Sequence, residues 1–149
     1  MAARVKEAAM ASSPWLRSIL AVVALPLLAA CENSATAYMI DGSQHALILV
    51  REKPYFWTST VNQAVIASRL PQCQRRVEIH PDRTELTDIE VFEAGDRLWA
   101  LRQGDRWYLV STAECQVQDW NNAADTPPGP FAGAFRLKDG DATFVPAGK

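Results

Sequence analysis

Histidine is almost absent from this chain: His45 and His80 are the only two. Neither lies in an H-x-x-H or C-x-x-C spacing, so no metal site is expected, nor any cofactor. Cysteine is nearly as rare, with Cys31, Cys73 and Cys115 as the full set. The commoner catalytic signatures are missing as well. There is no Gly-rich phosphate loop, no H-E-x-x-H helix and no EF-hand loop. Ser59, Ser68 and Ser111 stand outside any G-x-S-x-G turn. Positive charge is not in surplus, with 15 Lys and Arg against 17 Asp and Glu. A chain without a basic excess has little to draw it to a phosphate backbone, so nucleic acid is not an expected partner. Internal repeats and long like-charge blocks are absent too.

The first thirty residues differ from the rest. Arg4, Lys6 and Arg17 face a single acid, Glu7, and Ile19 to Ala30 is a run of 12 apolar and small residues. A bilayer-spanning helix needs ~20 such residues, and Pro26 weakens any long helix here. A positive stretch, a short apolar core and small residues before a cleavage point are the layout of a secretory signal peptide. Leu28-Ala29-Ala30-Cys31 then resembles the lipobox of bacterial lipoproteins. That resemblance implies acylation of Cys31, cleavage before it, and attachment to the cell envelope through lipid. Glu32 after the cysteine, rather than Asp, implies sorting to the outer membrane, facing the periplasm. Ser34 to Ala37 are small and polar, as in a tether. Residues 1–30 are thus expected as signal peptide, 31–37 as lipidated tether and 38–149 as one domain. Met10 is an alternative start that keeps Arg17 and the same apolar core.

Of the 149 residues, the 119 beyond Ala30 suit one domain with one core, and carry 12 Lys and Arg against 16 Asp and Glu. With Cys31 taken by lipid, Cys73 and Cys115 remain as an even pair in an oxidising compartment. A disulfide between them is expected.

The domain reads as strands, turns and one helix. Tyr38–Ile40 and His45–Arg51 flank Asp41-Gly42, a hairpin signal. Leu47 to Val50 is continuously apolar, which implies a strand covered on both faces. Thr60 with Gln63 forms a capping-box pattern. Val61, Ala64, Val65 and Ser68 follow at helical spacing, ended by Pro71. Arg76 to His80 alternates as a strand. Ile89–Glu93, Arg97–Gln103 and Arg106–Ser111 form an antiparallel meander around Ala94-Gly95-Asp96 and Gly104-Asp105. With Gly104-Asp105 as a two-residue loop, Trp99, Leu101, Tyr108 and Val110 share one face, and Leu98, Ala100, Trp107 and Leu109 the other. Both faces are apolar and need cover, one of them from the helix. Arg102 opposite Trp107 suits a cation–π contact. Residues 121–130 form a Pro-rich loop, and Ala134–Leu137 with Ala142–Val145 form a last hairpin around Asp139-Gly140. The class expected is α+β: a small, mainly antiparallel sheet with one main helix.

Two functional readings follow. The first is a non-enzymatic envelope lipoprotein, held by its lipid, that binds a protein or small ligand or assists assembly. Its candidate contacts are Tyr55, Phe56, Trp57 and Trp120: three consecutive aromatics cannot all enter one core from a strand, and exposed aromatics mark partner or glycan contacts, although packing beneath neighbouring loops weighs somewhat more. A narrower version, an inhibitor of a wall-degrading enzyme, rests on Tyr38-x-x-Asp41-Gly42. This resembles the start of small lysozyme-inhibitor lipoproteins but has no cysteine there. The second reading is a small hydrolase with His80 as base and Asp82 or Glu78 orienting it. The bland alternative, a strand-end histidine in a polar turn, weighs more. His45 is expected to be solvated. Glu85, Asp88, Glu90 and Glu93 are expected as the solvated side and ends of a strand rather than a glycosidase pair.

Overall fold

The computed structural model describes residues 33–148, and every regular element among them is a strand. β1 (Asn33–Asp41), β2 (His45–Glu52), β3 (Thr60–Arg69) and β4 (Cys73–Arg83) form one antiparallel sheet in chain order. β5 (Ile89–Gly95), β6 (Leu98–Gln103), β7 (Arg106–Ser111), β8 (Gln116–Trp120), β9 (Phe131–Lys138) and β10 (Asp141–Pro146) form a second, in the order β10-β9-β5-β6-β7-β8. The α+β class expected from sequence is corrected to all-β, because no helix exists among the described residues.

The segment expected as a helix, from Thr60 to Ser68, is β3, the strand between β2 and β4. Its apparent helical stripe is two sheet faces superposed. Gln63, Val65 and Ala67 point into the core, while Ala64 and Ser68 are buried on the other face. With residues buried on both faces, a strand of this composition mimics an amphipathic helix. Val61, Val65 and Ile66 are β-branched and favour the pleated backbone. Gln63 caps no helix; its amide meets Gln103 in the interior. Pro71 ends the element as expected, but as part of the turn into β4.

The meander follows the sequence closely, whereas β8 was not expected, and β1 and β4 run beyond the expected Tyr38–Ile40 and Arg76–His80. In the β6–β7 hairpin Gln103 faces Arg106, Leu101 faces Tyr108 and Trp99 faces Val110. The inner face joins Leu47, Leu49, Val65 and Ile79 of the first sheet to Ile89, Val91, Trp99, Leu101, Tyr108, Val110 and Phe135 of the second. Each such side chain contributes about 1.5–3 kcal/mol relative to exposure. The cover that was sought from a helix comes from this opposite sheet. β1 and β10 close one side: Thr36 Oγ1 donates to the Ala142 carbonyl at 3.0 Å, and Tyr38 stacks on Phe144 at 4.3 Å. Of the segment expected as a tether, Asn33 to Ala37 are part of β1, paired with residues 48–52 of β2.

The outer face of the second sheet carries a smaller apolar cluster of Phe92, Ala100 and Trp107, with Leu109 and Trp120 against it. The segment between β8 and β9 is tied down onto it. Asp125 accepts a bond from Trp107 Nε1 at 2.8 Å and pairs with Arg102 at 3.1 Å, and the Pro130 carbonyl accepts from the Glu93 amide. Gly129 lies so close to the Glu93 carbonyl that any Cβ would collide with it. Arg102 sits 5.6 Å from the Trp107 ring centre, as its register implied.

Candidate functional site

The strands run the length of the domain, so loops cluster at two ends with different chemistry. One end holds Asn33, where the chain enters, paired with Glu52 on β2. The loops after β2, β4 and β6 share it. Beneath them lies a buried polar network. Gln103 Nε2 donates to Gln63 Oε1 at 2.9 Å and to the His80 carbonyl at 3.2 Å. The Tyr108 hydroxyl donates to Gln103 Oε1 and accepts from the His80 amide. Burial raises the Tyr108 phenol above its ordinary value, with the His80 amide bond acting the other way. Arg51, also buried, donates to the Arg83 and Thr84 carbonyls. The network knits the two sheets together and leaves little of itself to solvent.

His80 and Asp82 border a shallow depression of about 520 Å³ at this end, but the structure does not join them. Asp82 is engaged by its own loop: its carboxylate accepts the Arg83 and Thr87 amides and the Thr87 hydroxyl. No bond between the His80 ring and Asp82 or Glu78 is present among the described residues; Glu78 pairs with Arg76. Asp88 and Glu90 are paired with Arg136 and Arg102, as expected of solvated strand groups.

The aromatic candidates separate. Tyr55, Phe56 and Trp57 form the tip of the β2–β3 loop and are 56%, 62% and 68% exposed. Trp120 is half-buried on the other sheet, edge-on to Trp107 at 5.7 Å. Cys73 and Cys115 are joined in a disulfide. Cys31 and residues 1–30 lie outside the described residues.

The opposite end carries the disulfide and an open cleft of about 510 Å³. Asp41, Gln44, His45, Arg69, Asp96 and Arg97 ring it around Ile40, Leu70 and Trp99. Sequence reasoning missed this cleft, because its parts come from three separate turns. His45 is not simply solvated: its Nε2 lies 2.7 Å from Thr112 Oγ1, and its ring stands edge-on to Trp99 at 5.7 Å. Arg69 donates to the Thr112 and Ala113 carbonyls at 2.9 and 3.0 Å, so the rim is fixed rather than loose. Arg97 holds a left-handed backbone, φ 52°, in the tight turn into β6. Such a conformation is rare for a long side chain and clusters at functional turns. The Tyr38 phenol is raised first by burial and then by the charge of Glu93, with Trp99 acting the other way. The cleft thus offers one cation held in place, Arg69, a second on the exposed Arg97, two carboxylates, an imidazole and an aromatic floor, groups that can meet a polar or charged ligand. Among the described residues no three His, Cys, Asp or Glu come together as a metal site. No protein-family model matches the chain, and comparison with curated proteins and with solved structures finds no match.

Proposed function

We propose that this protein is a bacterial envelope lipoprotein, anchored through Cys31, whose β-sandwich acts without catalysis as a binding or assembly factor. The observation that carries this reading is the placement of the cleft at the far end of β1 from the chain's entry. β1 is nine residues long from Asn33 to Asp41, so its eight steps place the cleft roughly 26 Å from the anchor side. A lipid at Cys31 would hold the first end at the outer-membrane surface and turn the cleft toward the periplasm. The engagement of Asp82 by its own loop, away from His80, supports a binding role over hydrolysis. The partner class is a protein or ligand with exposed charged groups, met by Arg69, Arg97, Asp41 and Asp96 around Trp99.

Arg97→Asn tests this, since Asn tolerates the left-handed backbone and removes only the cation. In a pull-down from envelope extract, the wild type should retain a partner that Arg97→Asn and Asp96→Ala lose, while Lys53→Ala at the opposite end keeps it. Recovery of the same proteins by all four chains and by an anchor-only control would refute the cleft as the site. The anchor is read by mass: Cys31→Ser should abolish acyl addition, and an unchanged lipidated N-terminus would refute the assignment.

A further inference from the structure

The aromatic tip and the start of β1 lie at the same end of the domain. β1 begins at Asn33, and Asn33 pairs with Glu52, the last residue of β2. Adjacent antiparallel partners lie about 5 Å apart. Cys31 precedes Asn33 by two residues, a reach of at most ~7 Å. Tyr55, Phe56 and Trp57 follow Glu52 in the next connection. The connection that carries the three rings therefore starts beside the strand end at Asn33, from which Cys31 is two residues away in sequence.

The tip is built rather than loose. The Thr58 amide and hydroxyl both donate to the Tyr55 carbonyl, at 3.2 and 2.9 Å. The Tyr55 and Trp57 rings stack at 4.9 Å with 12° between their planes, and Phe56 stands edge-on to Trp57 at 4.7 Å. More than half of each residue is nevertheless open to solvent. Monomeric domains seldom leave three contiguous large aromatics exposed without a use for them. From Lys53 to Thr60 the sequence is KPYFWTST, with one cation and no carboxylate. Tyr and Trp combine an apolar ring with one polar atom, which suits the boundary between headgroups and acyl chains. Lys53 at the base can extend its ammonium toward phosphates while its stem lies along apolar surface.

We propose that Tyr55, Phe56 and Trp57 insert into the headgroup boundary of the bilayer that holds the Cys31 lipid, giving the domain a second point of attachment. This rests on the acylation of Cys31. The bilayer is the favoured occupant because the anchor brings it within a few residues' reach of the tip. A protein partner at the same place would have to fit between domain and membrane. Two attachment points fix the tilt of the domain, which a lone flexible link does not.

The test uses the full gene product matured in a bacterial host and purified from its membrane fraction. It is reconstituted into phosphatidylethanolamine–phosphatidylglycerol vesicles with or without bromine on the upper acyl carbons. Intact mass on the same preparation reads the Cys31 lipid. Wild-type tryptophan emission should be quenched by bromolipid, and Trp57→Phe should lose most of that quenching. Tyr55→Ser/Phe56→Ser, which keeps Trp57 as reporter, should shift its emission to the red and reduce quenching at least twofold. If the lipid is present and bromine changes nothing, the tip does not insert and the proposal fails while the anchor stands. If the lipid is absent, the anchoring reading fails and the proposal with it. If bromine is without effect but envelope extract shields Trp57 from iodide, the tip serves a protein partner and the proposal is overturned.

Discussion

The two ends of the sandwich solve different problems with similar residue types. At the entry end the polar side chains turn inward: Gln63, Gln103, Tyr108 and Arg51 bond to one another and to backbone, while three large aromatics turn outward. At the far end the aromatic turns inward as Trp99, and the charges turn outward around it. The first arrangement leaves an apolar surface on a rigid polar base. The second leaves a charged rim on an apolar floor. Which residues point out, rather than which are present, distinguishes a surface suited to lipid from one suited to a polar partner.

The largest expected effect falls on the far end. Cys73 and Cys115 close a loop with a sequence separation of 42. Removing both sulfurs as Cys73→Ser/Cys115→Ser should cost about 3–4 kcal/mol by loss of the cross-link in the unfolded chain. Urea denaturation at constant m-value reads it, and a loss under ~1 kcal/mol would mean that this end is held without the bridge. Next comes the buried network. Gln103→Leu leaves Gln63 Oε1 and the His80 carbonyl without their donor, for roughly 1–3 kcal/mol. The double variant Gln63→Leu/Gln103→Leu should recover part of that, since two apolar partners leave fewer orphaned groups; a strictly additive double variant would show that the two amides do not act together. At the aromatic tip Phe56→Ser should change folding stability by no more than ~0.5 kcal/mol, as an exposed loop residue does. A loss above ~1 kcal/mol would make the tip part of the fold rather than a surface for something else.

The smallest effect belongs to Glu52, whose carboxyl is held below its ordinary value first by the hydrogen bond from Arg76, with desolvation opposing it and that residue's charge adding to it. A lowered folded-state value means that its stabilisation is present above the unfolded carboxylate range and is lost as pH falls through the folded value. Glu52→Gln should therefore flatten the acid side of the Tm profile slightly and leave the neutral side nearly unshifted. An unaltered acid limb would show that the pair contributes nothing in solution.

Much of the fold was legible because turns and alternation are local. Asp41-Gly42, Gly104-Asp105 and Asp139-Gly140 each join the hairpin strands expected of them, and the β6–β7 register followed directly from the two-residue loop. β3 was misread because burial on both faces erases the period-2 signal; only its β-branched residues hinted at a strand. The aromatic tip was readable only in part: three consecutive rings cannot all be buried from one strand, so at least one was expected outside, whereas packing under neighbouring loops was the weightier reading and all three are exposed. The cleft was not, because His45 meets Thr112 across a separation of 67 residues and Arg69 meets the same loop across 43. Nothing local in the sequence encodes those meetings.

The strand order has a consequence for the time at which the protein becomes safe. The first sheet is made of consecutive strands, so each has its neighbour next to it in the chain. β5 is different: one of its two neighbours is β9, which begins at Phe131, near the end of the chain. Until then the edge of β5 has unpaired amides and carbonyls, and the segment that shields Phe92 and Trp107 has no far anchor. Open edges beside apolar surface invite pairing with other chains. The folding protein is thus vulnerable until β9 is in place, and truncation within β9 should favour aggregates over a smaller soluble domain.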